Sequence, residues 1–149
     1  YQEAKKKLVE NIKSGVVSKK MKEWIKAQGG NEEVVDYPED ILDISNNIID
    51  FKANKSGYIS SIDTEKVGIA SMHLGAGRQK KEDSIDLSVG LKILKKLGDK
   101  VEKGETIAKL FVSENSNVEF ALDLLTQAYS IQKVAPSNFL NEIIFDVLE

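Results

Sequence analysis

The sequence predicts an α+β fold, in which N-terminal helices precede a module of strands with two inserted helices. Two observations carry this prediction. Up to about residue 30, apolar residues recur at helical spacing, while from about residue 47 the apolar runs are short, β-like and separated by turn residues. The strands do not alternate regularly with long helices, so a doubly wound parallel sheet is not indicated.

Each element has its own signal. Residues 3–14 read as a helix in which Leu8 and Ile12 share a face, with Gly15 where a left-handed C-cap glycine belongs. A second helix fits 19–28, capped by Ser18, striped by Met21, Trp24, Ile25 and Gln28, and ended by Gly29-Gly30. The acidic run 31–40, with Pro38, reads as a linker or domain edge. "NIIDFKA" and "GYISSID" read as strands joined in a hairpin by Asn54-Lys55-Ser56-Gly57. A short helix starts at Thr64, aligns Val67, Ala70 and Leu74, and ends at Gly75. "IDLSVGLKIL" and "TIAKLFVS" are β-like. Between them lie a turn at Gly98-Asp99, an inward Val101 and a second turn at Gly104. Residues 116–130 form the clearest helix, capped by Asn115 or Ser116 and striped by Val118, Ala121, Leu122, Leu125, Ala128 and Tyr129. A turn at Pro136 and a strand at 143–148 close the chain.

The bulk properties exclude several function classes. With 21 basic and 24 acidic residues the net charge is -3, which gives no general electrostatic argument for nucleic acid. The chain has no cysteine, so disulfides, thiolate metal sites and cysteine nucleophiles are excluded and a cytoplasmic home is permitted. No apolar run reaches the roughly 18 residues of a membrane helix. The N-terminus opens without Met inside a helical pattern and has no apolar signal segment, as expected of a piece of a longer protein or of a processed or trimmed terminus.

The glycine-rich stretch 74–90, "LGAGRQKKEDSIDLSVG", is the one place where a phosphate cradle could be sought. A dinucleotide fingerprint needs glycine at its first, third and sixth positions; Gly75 and Gly77 supply two, but the sixth is Lys80 and the stretch follows a helix. A Walker A loop needs Gly-Lys-Ser/Thr, which is missing. The expected conformation is a helix C-terminus with Gly75 or Gly77 at positive φ, then a charged loop in which Arg78 pairs with Glu82, Asp83 or Asp86. Acid–base chemistry by Asp83 and Asp86 would require both to face one cavity. His73, the sole histidine, reads as a packing residue or a partner of the helix C-terminus. No second histidine or cysteine supports a metal site, and no cofactor is indicated.

"GDKVEKGETIAKLF" resembles the strand-turn-strand of biotinyl and lipoyl carrier domains. The modified lysine of those domains would fall on Glu114, so the likeness implies barrel-sandwich-like strands without cofactor carriage, and a free-standing binding module is one alternative.

Taken together, Gly77-Arg78, Asp83, Ile85-Asp86, Val89-Gly90 and Gly98-Asp99-Lys100-Val101 resemble, in order and spacing, the C-terminal part of the pyrimidine-nucleoside phosphorylases, the family that includes thymidine phosphorylase. The resemblance runs from about residue 1 to 135. It implies that residues 1–36 are the terminal helices of a preceding α/β lobe and 37–149 the C-terminal module. The implied parent is a homodimeric, cytoplasmic pentosyltransferase. It converts uridine or thymidine and phosphate to the free base and (deoxy)ribose 1-phosphate. Phosphate and nucleoside would bind the parent's other lobes, since this piece has no counterpart of the family's catalytic or substrate-binding elements. Within it, Gly75, Gly77, Arg78, Asp83 and Asp86 would form an interdomain loop facing those lobes.

Overall fold

The computed structural model describes residues 1–136 and divides into two compact units at Asp43/Ile44. The strand expected at 143–148 lies outside the described residues.

The first unit holds helices α1 (Gln2–Lys13) and α2 (Val16–Ala27), a 3-10 turn (Glu32–Val35) and the short helix α3 (Pro38–Ile41). Helix α2 begins at Val16, earlier than expected, and Ser18 lies inside it. Gly15 explains this. At φ 77° it ends α1, and its carbonyl already accepts the Lys19 amide at 3.0 Å, so one residue serves both helices. The acidic run 31–40, expected as a linker or domain edge, is ordered as a turn and a short helix just before the division between the units. Asn31 caps the 3-10 turn by accepting the Glu33 amide at 3.0 Å, and Pro38 supplies a pre-set φ at the start of α3. Lys22–Asp36 and Lys26–Glu32 ion pairs hold the acidic turn to α2. No residue of this unit is buried.

The second unit contains β1 (Ile48–Lys52), β2 (Gly57–Ile62), α4 (Thr64–Ser71) running into a π-helical turn (Met72–Ala76), β3 (Gly90–Ile93), β4 (Lys100–Val101), β5 (Thr106–Phe111), α5 (Val118–Ala128) and β6 (Tyr129–Gln132). The strands form two antiparallel three-stranded sheets, β1-β5-β3 and β4-β2-β6. The hairpin expected between β1 and β2 does not form, because the two strands belong to different sheets. The Gly104 turn takes the partners such a hairpin would have used. Ala53 donates to the Glu105 carbonyl and Gly104 to the Ala53 carbonyl, both at 2.8 Å, while Lys103 donates to Ser56 Oγ at 2.9 Å.

In the first sheet the register sets Ile49, Leu110 and Leu91 in one row facing inward, and Asp50, Lys109 and Lys92 in the next row facing out. In the second, Gly57 lies against the Gln132 carbonyl, and a Cβ there would sit 2.3 Å from that oxygen. Both sheets and helices α4 and α5 share one apolar core, in which Ile59, Leu74, Val101, Ile107, Leu110 and Leu125 are fully buried.

The caps of the two core helices differ from the sequence expectation by small amounts. Asp63 caps α4 through the Lys66 amide, and its carboxyl is held below the usual range by that amide and then by the Lys66 side chain. Asn117, not Asn115 or Ser116, caps α5 by accepting the Phe120 amide at 3.3 Å. Ser116 is engaged elsewhere: its hydroxyl donates to the Leu74 carbonyl at 2.6 Å and accepts the Ser113 amide at 2.9 Å. At its other end α5 stops at Ala128, where Tyr129 leaves the helix to pair with Ile62 as the first residue of β6. Cross-strand pairing there outcompetes two more helical residues.

Candidate functional site

The glycine-rich stretch lies between the end of α4 and β3. Leu74 is fully buried and anchors the π-helical turn. Gly75 follows at φ 111°, a conformation L side chains rarely adopt, and it reverses the chain direction. Gly77 is extended, at φ -152°, so of the two glycines only Gly75 meets the positive-φ expectation. Space at Gly77 is tight: a Cβ there would approach Met72 Cγ to 3.2 Å.

The loop is built from local hydrogen bonds. The Asp83 carboxylate accepts the amides of Gln79 at 3.1 Å and Lys80 at 2.8 Å. The Asp86 carboxylate accepts the Ser88 hydroxyl at 2.6 Å and the Ser88 amide at 2.9 Å. The Ser88 hydroxyl, followed by the Ser88 amide, holds the Asp86 carboxyl below the usual carboxylate range. The base of the loop is tied down by backbone: Asp86 donates to the Gly75 carbonyl at 3.0 Å, and Ser45 donates to the Ser88 carbonyl at 2.9 Å.

The expected ion pairing of Arg78 with Glu82, Asp83 or Asp86 does not form. Among the described residues Arg78 makes no ion pair, and it is exposed. The reason is distance along the chain: backbone N–H groups three and four residues before Asp83, and two after Asp86, reach the carboxylates first. Both acids therefore shape turns and do not form an acid–base pair in a shared cavity. Gly75 lies within the π-helical turn, and Gly77, Arg78, Asp83 and Asp86 lie in the segment that follows it, with Arg78, Gln79, Lys80, Lys81 and Glu82 as its exposed tip.

His73 is a packing residue, as expected. Its ring lies 4.4 Å, centroid to centroid, from Phe120 in the first turn of α5. Its Nδ1 is also 3.3 Å from Gln79 Nε2, a contact no sequence pattern announced, since the two residues are separated by the glycine turn. The long-range bonds of Ser45 to the Ser88 and Val112 carbonyls and of Ser116 to the Leu74 carbonyl likewise carry no sequence signal, because these partners are backbone groups distant in the chain.

Other chemistry is sparse. Among the described residues no group of three or more His, Asp or Glu can hold a metal ion, and no helix is long and apolar enough to cross a membrane. A cavity of about 40 Å³, lined by Phe51, Ala53, Ile107, Thr126, Tyr129 and Ile131, is mostly apolar. Tyr129 is buried there and desolvation pushes its hydroxyl pKa up. Glu114, where a carrier lysine would fall, lies in the connection from β5 to α5 and not at the tip of a strand hairpin.

The pyrimidine nucleoside phosphorylase C-terminal domain family matches residues 58–132, a span that covers β2, the glycine-rich loop, β3 to β5, α5 and β6. The pyrimidine-nucleoside phosphorylase of Staphylococcus aureus strain MSSA476 is 40% identical over 146 residues, covering 97% of this chain and 33% of that protein. Its counterpart in strain USA300 is 41% identical over 144 residues, covering 96% of this chain and 33% of that protein. The chain thus spans about a third of the length of the curated relatives it matches. By its family match and by the length over which these relatives align, the chain belongs to the pyrimidine nucleoside phosphorylase C-terminal domain family.

Proposed function

We propose that this chain is the C-terminal module of an enzyme that phosphorolyses pyrimidine nucleosides, and that the module itself holds no catalytic or substrate-binding residue. The observation that carries the reading is the combination of 40% identity over 97% of the chain with coverage of only 33% of the relative. Residues 1–36 then belong to the preceding lobe and 37–149 to the module. Phosphorolysis needs a preorganised positive clamp on phosphate and stabilisation of the departing pyrimidine anion. In the loop that most resembles an anion cradle, both carboxylates are committed to turns and the cations point to solvent, which supports placing that clamp elsewhere in the parent. In this reading the parent is a cytoplasmic homodimer without a cofactor, and phosphate and uridine or thymidine bind its other lobes.

The exposed tip from Arg78 to Glu82 is the surface through which the module meets those lobes. Its density of unpaired charge on a hinge glycine suits a contact that forms and breaks during turnover. Arg78→Ala in the whole enzyme lowers turnover without changing the unfolding of the module; unchanged kinetics would remove the loop from the reaction. The wider reading is tested by adding this chain to the separately produced preceding two-thirds of the parent. Phosphate-dependent base release appears only in the mixture. If the preceding segment is fully active alone and gains nothing from the mixture, the module has no part in the reaction.

A further inference from the structure

The glycine-rich loop is held unevenly, and the unevenness points to a device. Its base is fixed by backbone bonds from Asp86 to Gly75 and from Ser45 to Ser88, and by the Ser116 hydroxyl on the Leu74 carbonyl. Its tip is shaped internally by Asp83, which accepts the Gln79 and Lys80 amides. Between tip and body, a side-chain contact joins Gln79 Nε2 to His73 Nδ1 at 3.3 Å. The Gln79 carboxamide and the imidazole each offer a donor and an acceptor, so the two side chains can pair directly. The ring is fixed for this role by the Phe120 ring at 4.4 Å and by the His73 carbonyl, which accepts the Asn117 amide at 3.0 Å.

We infer that His73 and Gln79 form a latch that sets the resting position of the 78–82 tip on the module. The Asp83 turn keeps the tip's shape, and opening the latch frees the Arg78, Lys80 and Lys81 side as a unit. The inference deepens the interdomain reading of the loop and rests on it for its purpose, but not for its test. His73 is in this account a positioning residue, acting on the loop through Gln79.

The experiment is site-resolved limited proteolysis of the 149-residue chain with trypsin, read by mass spectrometry. Cleavage after Arg78, Lys80 and Lys81 reports opening of the tip, and cleavage after Lys109, inside β5, reports opening of the core. Loss of one modest hydrogen bond raises the open population about threefold to tenfold. Gln79→Ala and His73→Phe, the latter keeping an aromatic ring on Phe120, are each expected to accelerate tip cleavage by that factor with Lys109 unchanged. The double variant is expected to be no faster than either single one, because both remove the same contact. Should His73→Phe also speed cleavage after Lys109, the exposed Gln79→Ala variant decides. Tip cleavage unchanged by Gln79→Ala, or additive effects in the double variant, overturns the latch. Neither result bears on Arg78→Ala kinetics in the whole enzyme, so failure of the latch and failure of the interdomain reading are separable.

Discussion

The two units of the molecule solve opposite problems with similar residues. Residues 1–43 carry Leu8, Ile12 and Trp24 at helical spacing, yet these side chains are 63%, 66% and 58% exposed and nothing in the unit is buried. The second unit uses the same residue types to close a core in which Leu125, Leu110 and Ile59 are at 0%. Amphipathic periodicity therefore specifies that a helix forms a stripe, but the covering surface has to come from another element. In the second unit, two sheets cover α4 and α5. In the first, two short helices with an acidic turn do not cover each other, which agrees with the proposal that these helices belong to a larger lobe.

Truncation in the core should separate the two units most strongly. Leu125→Ala should lower the unfolding free energy by about 2–5 kcal/mol in a urea titration followed by circular dichroism, through lost burial and a residual cavity. Trp24→Ala should change it by less than about 0.5 kcal/mol, since its ring is mostly in solvent. Equal effects would mean that the first unit has a core of its own.

Gly57→Ala comes next. Its φ of 155° and the 2.3 Å approach of a Cβ to the Gln132 carbonyl leave no room for the methyl group, so β2 and β6 must separate. A loss of roughly 1–3 kcal/mol is expected, with Gly104→Ala as a control of strained φ in open space.

Acid should act on both units by a single sign. Asp63, Asp86 and Glu105 in the second unit, and Glu23 and Glu32 in the first, are held below the ordinary carboxylate range, by amide, hydroxyl or lysine donors. Their folded pKa values lie below the unfolded ones, so the unfolded chain takes up more protons as pH falls. The stabilisation is complete above the ordinary carboxylate range and is lost as pH drops through the folded values. The thermal midpoint should therefore fall on acidification below about pH 4–5, and a rise would contradict the assigned hydrogen bonds.

The smallest expected effect is a gain. Lys92 and Lys109 face each other across β3 and β5, with Asp50 on the far side of Lys109. Lys92→Glu replaces a like-charge pair by an opposite one and should raise stability by about 0.2–1 kcal/mol, an increment that added salt reduces.

What the sequence revealed follows from the range of each signal. Local signals were legible: the stripes of α1, α2 and α5, the turn glycines at 75, 98 and 104, and the inward Val101. Strand positions were legible too, but partners were not. A turn-like Asn54-Lys55-Ser56-Gly57 suggested a hairpin, whereas a distant turn at Gly104 bonds the Ala53 backbone and the Ser56 hydroxyl, and β1 and β2 join different sheets. Tyr129 looked like one more position of the α5 stripe, because both a helix and an antiparallel strand can bury it. In the candidate loop the direction of the bonds was not readable: Asp83 and Asp86 serve backbone amides and leave Arg78 free of their carboxylates.

The proposal that this chain is a non-catalytic module of a nucleoside phosphorylase is tested most directly with the chain alone. After circular dichroism establishes that it is folded, the chain at high concentration is mixed with phosphate and uridine or thymidine, and base release is followed by ultraviolet absorbance. The account predicts no release above the uncatalysed background. Phosphate-dependent release that scales with the concentration of the folded chain would contradict it, and would return the glycine-rich loop to consideration as a phosphate site.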